Sequence, residues 1–486
     1  MEKFYITTSI PYVNASPHIG HALEFLQADV LARWHGLLGQ QRWFQIGTDE
    51  HGLKNYKAAE DAGQPVEAFV QGHSDEFRKL AEILNVSHDD FIRTSDRKMH
   101  WPGVVEIWKR LAAAGDLYLG EYEGFYCVGC ETFVKESDLV EGKCAIHEKE
   151  PEKLKEENWF FKLSKYGKTI KEKIQSGEFQ IVPKGRQNEM ISFIDQGLED
   201  LSVSRPKKKL PWGIPVPGDD DQTMYIWVDA LSNYLTGLGF GRSEDWKRWW
   251  PADVHVIGKD ITRFHAIIWP AMLLSAGIDL PKGLLVHGFI QSGGKKMSKS
   301  IGNVVDPFAL VDQYGVDPVR YYLLHEIPTT KDGDFTEERL REVYAADLQK
   351  TIGNLLARVT KIGERAPLEP KVSKEVRAEI DFVWKRYNDA LEKFELNIAL
   401  EEAVRLARFG NEFMEELKPW ESDTAREAAI PQLALILHSV AWMLTPFLPD
   451  TAKKIFEQLG MDPDHRGTWD GVEIRMKKGD ALFPRL

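Results

Sequence analysis

The start of the chain constrains its fold more tightly than any other stretch. Phe4-Tyr5-Ile6-Thr7-Thr8 reads as a buried strand, and Pro17-His18-Ile19-Gly20-His21 then opens a periodic helix over 18–38 that Gly39 would cap. Strand, turn and helix in that order make half of a nucleotide-binding unit. A helix start offers unpaired backbone N–H groups and the positive end of a dipole, and His18 and His21, one turn apart, add side-chain donors suited to a triphosphate. A second tract, Lys296-Met297-Ser298-Lys299-Ser300, follows Ser292-Gly293-Gly294 and places two lysines and two hydroxyls on a loop able to close over pyrophosphate. Either tract alone is weak, because a Lys/Ser loop is ordinarily solvated surface. Both together, in this order, describe a site for adenylate chemistry.

The rest of the composition is that of an ordinary soluble enzyme. A chain of 486 residues with 43% hydrophobic content can bury several cores. No uninterrupted apolar run reaches the roughly 18 residues of a membrane span, and no basic stretch followed by an apolar core marks a signal peptide. The expectation is a cytoplasmic protein without a membrane partner. The formal charge of −13 gives no support to nonspecific nucleic-acid binding, so any RNA would be held by local basic faces.

The chain has 3 cysteines, all between residues 127 and 144: Cys127-Val128-Gly129-Cys130, then Cys144 with His147 three residues on. An odd count in a reducing compartment argues against disulfides. Each pair presents two ligands from one turn, and four protein ligands close a tetrahedral zinc without leaving room for water, so one structural Zn²⁺ per chain is expected. The alternative is two core thiols and a surface histidine in a polar run.

Strand and helix signals alternate through 1–116, with Arg42-Trp43-Phe44-Gln45-Ile46-Gly47 as a second strand. Residues 117–211, which hold the cysteines, read as an insertion. The α/β pattern resumes over 212–290, where Met224-Tyr225-Ile226-Trp227-Val228, Val254-His255-Val256-Ile257-Gly258 and Gly283-Leu284-Leu285-Val286-His287-Gly288-Phe289 read as buried strands. The expected fold is α/β: a split, Rossmann-type parallel sheet with ligands at the carboxyl ends of its strands. Residues 291–336 carry the basic loop and a linking subdomain. Residues 337–486 read as an all-α bundle with helices over 337–365, 373–395, 398–417 and 425–459, and a strand only near the C-terminus. In the first of these helices Lys350, Asn354, Arg358, Lys361 and Arg365 share one face.

The tracts at 18–21 and 296–300 are similar to the two signature motifs of the class I aminoacyl-tRNA synthetases, HIGH and KMSKS, without substitution. Further motifs resemble the methionyl-tRNA synthetase family over essentially the whole chain. They are Ile10-Pro11-Tyr12-Val13-Asn14, Gly47-Thr48-Asp49-Glu50-His51-Gly52, Trp227-Val228-Asp229-Ala230, Gly258-Lys259-Asp260-Ile261, Phe264-His265, Trp269-Pro270 and Lys418-Pro419-Trp420. The single Cys3His knuckle resembles one bacterial subgroup. The resemblance implies an enzyme that activates L-methionine with ATP and Mg²⁺ and transfers it to tRNA(Met), initiator and elongator alike. It also implies a monomer, since the extra dimer-forming domain of many members does not follow.

The same resemblance assigns residues. His18, His21, Lys296 and Lys299 would stabilise charge at the phosphates, with Ser298 as a helper. ATP would be held by His18, Gly20, His21, Gly258, Asp260, His287, Gly288 and Lys299, Asp260 taking the ribose hydroxyls. Methionine would be held by Ile10, Tyr12, Asp49, Trp227, Tyr234, Ile261, Phe264, His265 and Trp269. A thioether is unbranched and weakly accepting, so an aromatic pocket with few polar contacts suits it; Tyr12 and His265 are the candidates for the sulfur and Asp49 for the α-ammonium. Asn354, Arg358 and Trp420 would read the CAU anticodon by stacking and edge hydrogen bonds. Without the resemblance, the aromatics read as core packing and Asp49 as a turn residue. Rival readings fare worse: editing synthetases need a larger insertion, and a zinc-knuckle RNA-binding protein leaves both phosphate tracts unexplained.

Overall fold

The strand Lys3–Thr8 is paired on both sides, with Ile6 opposite Phe44 on one neighbour and opposite Val254 on the other. The computed structural model describes residues 2–127, 132–134, 139–145, 148–297, 302–365, 372–461 and 475–486. The chain divides into two compact units, residues 1–17, 38–82 and 87–287 in the first and 18–37, 83–86 and 288–486 in the second.

The first unit is built on a 6-stranded parallel sheet. Its order is Asp90–Arg93, Gln41–Thr48, Lys3–Thr8, Val254–Gly258, Gly283–His287 and Gln180–Val182. Chain order reverses on either side of Lys3–Thr8, which makes its carboxyl end the switch point where an open α/β sheet leaves a crevice. Val254–Gly258 and Gly283–His287 are buried at every position. Both faces of such a sheet are covered, and this is why these strands read as continuous apolar runs.

Three expectations need correction here. Asp90–Arg93 and Gln180–Val182 were not anticipated as strands: they are short and carry polar residues at their ends. The second lies within the expected insertion yet joins the main sheet, with Ile181 opposite Leu284. Met224-Tyr225-Ile226-Trp227-Val228 is not a strand. The strand Asp219–Met224 ends there, Tyr225 is the extended N-cap, and the helix Ile226–Thr236 follows with every residue buried. A helix covered on all sides shows no polar face, so its first turn is indistinguishable from a buried strand.

The remaining insertion is a long antiparallel pair, Leu117–Cys127 with Glu152–Phe161, in register from Leu117 opposite Phe161 to Tyr126 opposite Glu152. Thr132–Val134 adds to its edge with Thr132 opposite Cys127, and Leu139–Val140 pairs with Lys143–Cys144.

The second unit contains the helix Ile19–Leu37 and a helical bundle. Glu337–Val343, a wider π-helical stretch Tyr344–Gly353 and Asn354–Gly363 run on without a break. Lys374–Glu392 and Leu396–Leu417 follow as expected. The single helix expected over 425–459 is two, Asp423–Leu444 and Pro449–Leu459. Pro446 and Pro449 account for the break, since each lacks an N–H and disfavours helix at the residue before it. No strand forms among the described residues 475–486, contrary to expectation. Asp423–Leu444 is long and apolar enough to cross a membrane by length and composition alone. Its apolarity is explained by burial against Asn354–Gly363, Lys374–Glu392, Leu396–Leu417 and Pro449–Leu459.

One buried cation ties this unit together. The guanidinium of Arg320, on the helix Val316–His325, is fully buried and donates to Asp29 Oδ2 at 2.7 Å, Leu84 O at 2.9 Å, Pro446 O at 3.0 Å and Phe447 O at 2.6 Å. Asp29 lies on Ile19–Leu37 and also accepts from Arg33 at 2.8 Å. Arg320→Ala leaves a buried carboxylate half-compensated and three carbonyls bare, and is expected to cost this unit about 3 to 5 kcal/mol. Native-state hydrogen exchange of its helical amides is the measurement; protection at the wild-type level would show the pair to be dispensable.

Candidate active site

The carboxyl ends of the central strands gather most of the residues expected to hold small substrates. Ile10 and Tyr12 follow Lys3–Thr8, and Asp49 follows Gln41–Thr48. Tyr12 and Asp49 form an isolated parallel bridge, and the Asp49 N–H donates to Pro11 O at 2.9 Å. Asp49 is 3% exposed, with Thr94 Oγ1 at 3.5 Å from Oδ1. The ammonium of Lys54 stands 4.8 Å from the centre of the Tyr12 ring. Gly47 is required here: a Cβ on it would meet Ile92 O at 2.2 Å and Ile10 at 3.1 Å.

An aromatic wall lies beside them in the same unit. Trp227 and Phe264 stack with centroids 3.7 Å apart and planes 6° from parallel. The Tyr234 hydroxyl is 2.6 Å from His265 Nε2, and His265 Nδ1 is 3.0 Å from Ile261 O. A carbonyl can only accept, so Nδ1 of the neutral ring carries the proton and Nε2 accepts from Tyr234. Both ring nitrogens of His265 are thus engaged within the protein. Trp269 is fully buried with its ring 6.1 Å from Tyr234, and the indole N–H groups of Trp227 and Trp269 are buried without hydrogen-bond partners. His255 stacks on Tyr234 at 4.2 Å and sits 2.8 Å from Thr7 Oγ1. Burial, with His265 nearby, pushes its pKa well below the ordinary value, so it is a neutral ring.

Sequence reasoning missed the polar network beneath this wall. Glu50 is fully buried and takes a bidentate pair from Arg93 at 2.6 and 2.9 Å, with Thr48 Oγ1 at 2.9 Å and Ser95 also donating. Asp229 accepts from His51 Nδ1 at 2.6 Å and from His100 Nε2 at 2.7 Å, and His100 Nδ1 meets Thr236 Oγ1 at 2.7 Å. Burial alone would raise the pKa of Asp229, but the two imidazoles outweigh it and hold the carboxyl below its usual range. The signal was half present: Glu50 and His51 stood in a motif, while Asp229 is 178 residues from His51 in sequence.

For a nucleoside, Gly258 ends one strand, Asp260 follows it and His287 ends the next. A Cβ on Gly258 would stand 2.8 Å from Asp260 Oδ1 and 3.8 Å from the His287 ring, so the three converge around the space that glycine leaves. In the second unit, Gly288 packs on Lys331, where a Cβ would come within 2.2 Å of backbone.

Also in the second unit, the rings of His18 and His21 stack 3.9 Å apart. The His18 N–H donates to His21 Nδ1 at 3.1 Å, and the Gly20 N–H donates to His18 Nδ1 at 3.0 Å. An amide only donates, so both Nδ1 atoms are lone-pair acceptors and both neutral rings carry their proton on Nε2, where it can serve an anion. Lys295–Lys296 pairs with Ile290–Ser292 through a turn in which Gly293 and Gly294 have φ of 61° and 73°. The side chain of Lys296 and residues Ser298, Lys299 and Ser300 lie outside the described residues. In the bundle, Arg358 stands 5.2 Å from the Trp420 ring centre and 2.7 Å from Glu415. Trp420 is 42% exposed, so it does not cap the core, and Asn354 is exposed one turn before Arg358.

Of the expected metal ligands, Cys127 and Cys144 are buried at strand ends, and Cys130 and His147 lie outside the described residues. Cys144 opens a turn closed by Glu148 N to Cys144 O at 2.8 Å and Cys144 N to Lys149 O at 2.9 Å.

A switch-point crevice at the strand ends of a parallel sheet, two stacked histidines at a helix start and a helical bundle with an exposed aromatic are the features of a class I aminoacyl-tRNA synthetase. Family models agree: one described as tRNA synthetases class I (M) matches residues 4–144 and 130–360, and one described as the anticodon binding domain of methionyl tRNA ligase matches 360–481. A methionine–tRNA ligase of Caldanaerobacter subterraneus is 42% identical over 508 residues, covering 100% of this chain and 79% of the relative. One of Mycobacterium bovis is 40% identical over 510 residues, covering 100% and 97%. The solved Mycobacterium tuberculosis methionyl-tRNA synthetase in complex with methionyl-adenylate matches with a TM-score of 0.93 at 39% identity, covering 100% of both chains. The chain belongs to the methionyl-tRNA synthetase family. Its activity is that of a methionine–tRNA ligase, joining methionine to tRNA at the expense of ATP.

A Cβ on Gly20 would stand 2.8 Å from His18 Cε1 and 3.0 Å from its Nδ1. Gly20→Ala is therefore expected to displace the His18 ring and slow adenylate formation by roughly a hundredfold, the usual loss for one misplaced donor. Single-turnover formation of adenylate reads this directly; a rate within a fewfold of wild type would mean the ring is not needed where it stands.

Proposed function

We propose that methionine binds with its α-ammonium on Asp49 and its thioether among Ile10, Tyr12, Trp227, Tyr234, Ile261, Phe264 and Trp269, His265 contributing its ring and fixing the Tyr234 hydroxyl. What supports this most is that the Tyr12–Asp49 bridge and the Trp227–Phe264 stack, with Tyr234 held by His265, belong to one unit, the first offering a carboxylate and the second aromatic faces. Gly258, Asp260, His287 and Gly288 hold the nucleoside. The methionine carboxylate attacks the α-phosphorus of ATP in line and expels pyrophosphate, so the protein's task is positioning and charge stabilisation. His18 and His21 supply Nε2–H donors for the phosphates, with Gly20 giving the ring room, and Lys296 and Lys299 supply positive charge. Mg²⁺ carried with ATP neutralises pyrophosphate oxygens. The adenylate is then attacked by the 2′-hydroxyl at the 3′ end of tRNA(Met).

Asn354, Arg358 and Trp420 read the CAU anticodon of both initiator and elongator tRNA. Arg358 stacked on an exposed indole is a flat, cationic surface on which a base can lie. Zn²⁺ would be held by Cys127, Cys130, Cys144 and His147. The fit rests on soft thiol donors at two buried strand ends, one beginning a turn short enough to offer a second ligand three residues on. Such a closed site would brace the insertion. The enzyme works in the cytoplasm, as a monomer of 55.5 kDa that light scattering would verify.

Exchange of labelled pyrophosphate into ATP, run with each of the twenty amino acids, is expected with methionine; exchange with a different amino acid alone would overturn the substrate assignment. Trp420→Ala should spare that exchange and weaken aminoacylation of tRNA bearing CAU by about ten- to a hundredfold, the worth of one base–aromatic stack. A parallel fall in both activities would instead make Trp420 a structural residue. Zinc analysis of the purified protein tests the knuckle: one equivalent is expected, and none would refute it.

A further inference from the structure

The loop over 48–52 carries three consecutive acidic or imidazole side chains, and each is held differently. Asp49 lies against Tyr12 at the strand ends. Glu50 is bound to Arg93. His51 is bound to Asp229, and its ring is 1% exposed. Asn55 donates to the carbonyls of both Asp49 and His51, at 2.9 and 2.8 Å, so the backbone on either side of Glu50 is fixed as one piece. Asp229 stands in the first turn of Ile226–Thr236, two residues beyond Trp227 and one and a half turns before Tyr234. The His51–Asp229 bond therefore joins the loop bearing the ammonium-binding carboxylate to the helix bearing the side-chain wall. His100, itself held by Thr236, binds the other oxygen of the same carboxylate, which fixes the direction in which it faces His51. Beyond that bond, His51 packs against the rings of Trp101 and Trp212, and its Nε2 is buried without a hydrogen-bond partner. The hydrogen bond described for this ring is thus the one to Asp229.

We propose that Asp229 is a positioning residue for methionine: acting through His51, it sets the place of Asp49 relative to Trp227 and Tyr234 and so couples recognition of the α-ammonium to recognition of the side chain. Asp229 touches no substrate atom in this scheme. The inference rests on the assignment of the ammonium to Asp49. It adds that the assignment works only while a second, fully buried carboxylate holds the loop in register with the wall.

The test pairs variants with a truncated ligand, 4-(methylthio)butanoate, which is methionine without its α-ammonium, used as a competitive inhibitor of pyrophosphate exchange. Asp229→Asn is expected to raise the KM for methionine roughly ten- to a hundredfold, the range for partners that orient a binding group, with kcat within about threefold and the KM for ATP within about twofold. The Ki of the truncated ligand should stay near wild type, so that the preference for methionine over it shrinks by the same factor. His51→Ala should reproduce this, and His51→Asn, which restores a donor at the Nδ1 position, should recover most of it. His51→Ala also carries the test if Asp229→Asn does not fold. A parallel rise in the KM values of methionine and ATP, or equal weakening of methionine and the truncated ligand, would overturn the proposal in favour of a general structural role; an unchanged methionine KM would overturn it outright. Asp49→Asn separates the two claims. If it abolishes the preference while Asp229→Asn does not, the positioning role alone falls; if it leaves the preference intact, the assignment of Asp49 falls and the proposal with it.

Discussion

The pairing of Lys3–Thr8 with Val254–Gly258 is the constraint on which the first unit depends. It joins stretches of chain separated by the whole of the insertion, and closing so long a loop costs entropy that grows only slowly with length. The gain is topological. With Gln41–Thr48 on its other side, Lys3–Thr8 becomes the point where the sheet order reverses, and the loops leaving the strands on either side diverge. Ile10, Tyr12 and Asp49 come from one side of that divide and Gly258, Asp260 and His287 from the other. The residues proposed for amino acid and nucleoside are thus placed by the order of strands rather than by any local motif. The insertion has to sustain itself meanwhile, and its longest pairing, Leu117–Cys127 with Glu152–Phe161, is an antiparallel ladder that satisfies its own backbone.

Around that crevice several buried polar groups are satisfied in pairs, while His51 Nε2, Asn55 Oδ1 and His255 Nε2 have no hydrogen-bond partner among the described residues. Glu50 has Arg93, Thr48 and Ser95; Asp229 has two imidazoles; His265 has a hydroxyl and a carbonyl. Such groups cost free energy when left alone in an apolar interior, so these pairings also fix side-chain directions. The indole N–H groups of Trp227 and Trp269, in the wall itself, remain without partners. A pocket for a thioether tolerates that better than one for a polar side chain, because the ligand asks for few donors and rejects by shape and apolarity.

The sequence made the fold class legible where burial is two-sided and sustained, as in Val254–Gly258 and Gly283–His287, or where a helix keeps a polar face, as in Lys374–Glu392 and Leu396–Leu417. It failed where those signals vanish. Ile226–Thr236 has no polar face, Asp90–Arg93 and Gln180–Val182 are too short to show a period, and the break between Leu444 and Pro449 is announced only by its prolines. The site divided in the same way. His18 and His21 stand out in the sequence as side-chain donors at a helix start, and Gly20 and Asp49 are assigned from the resemblance of their motifs. Asp229 was quoted in a motif without a role, and His100 was not singled out, because their function lies in contacts at sequence distances of 129 and 178 residues that no local pattern encodes.

The helix Ile19–Leu37 carries the features that the proposed phosphate role requires of the second unit. Its first turn contains no acidic residue, so the positive end of the dipole is not locally neutralised. The backbone N–H groups of His18 and Gly20 are turned onto Nδ1 atoms, which sets both tautomers with the proton on Nε2. Further along, Asp29 is locked by fully buried Arg320 and by the partly exposed Arg33. A rigid helix transmits the placement of one turn to the next, so anchoring its middle also steadies its first turn. Donors held in place before the phosphates arrive need no reorganisation as charge develops, which is where an enzyme without a covalent intermediate must find its rate.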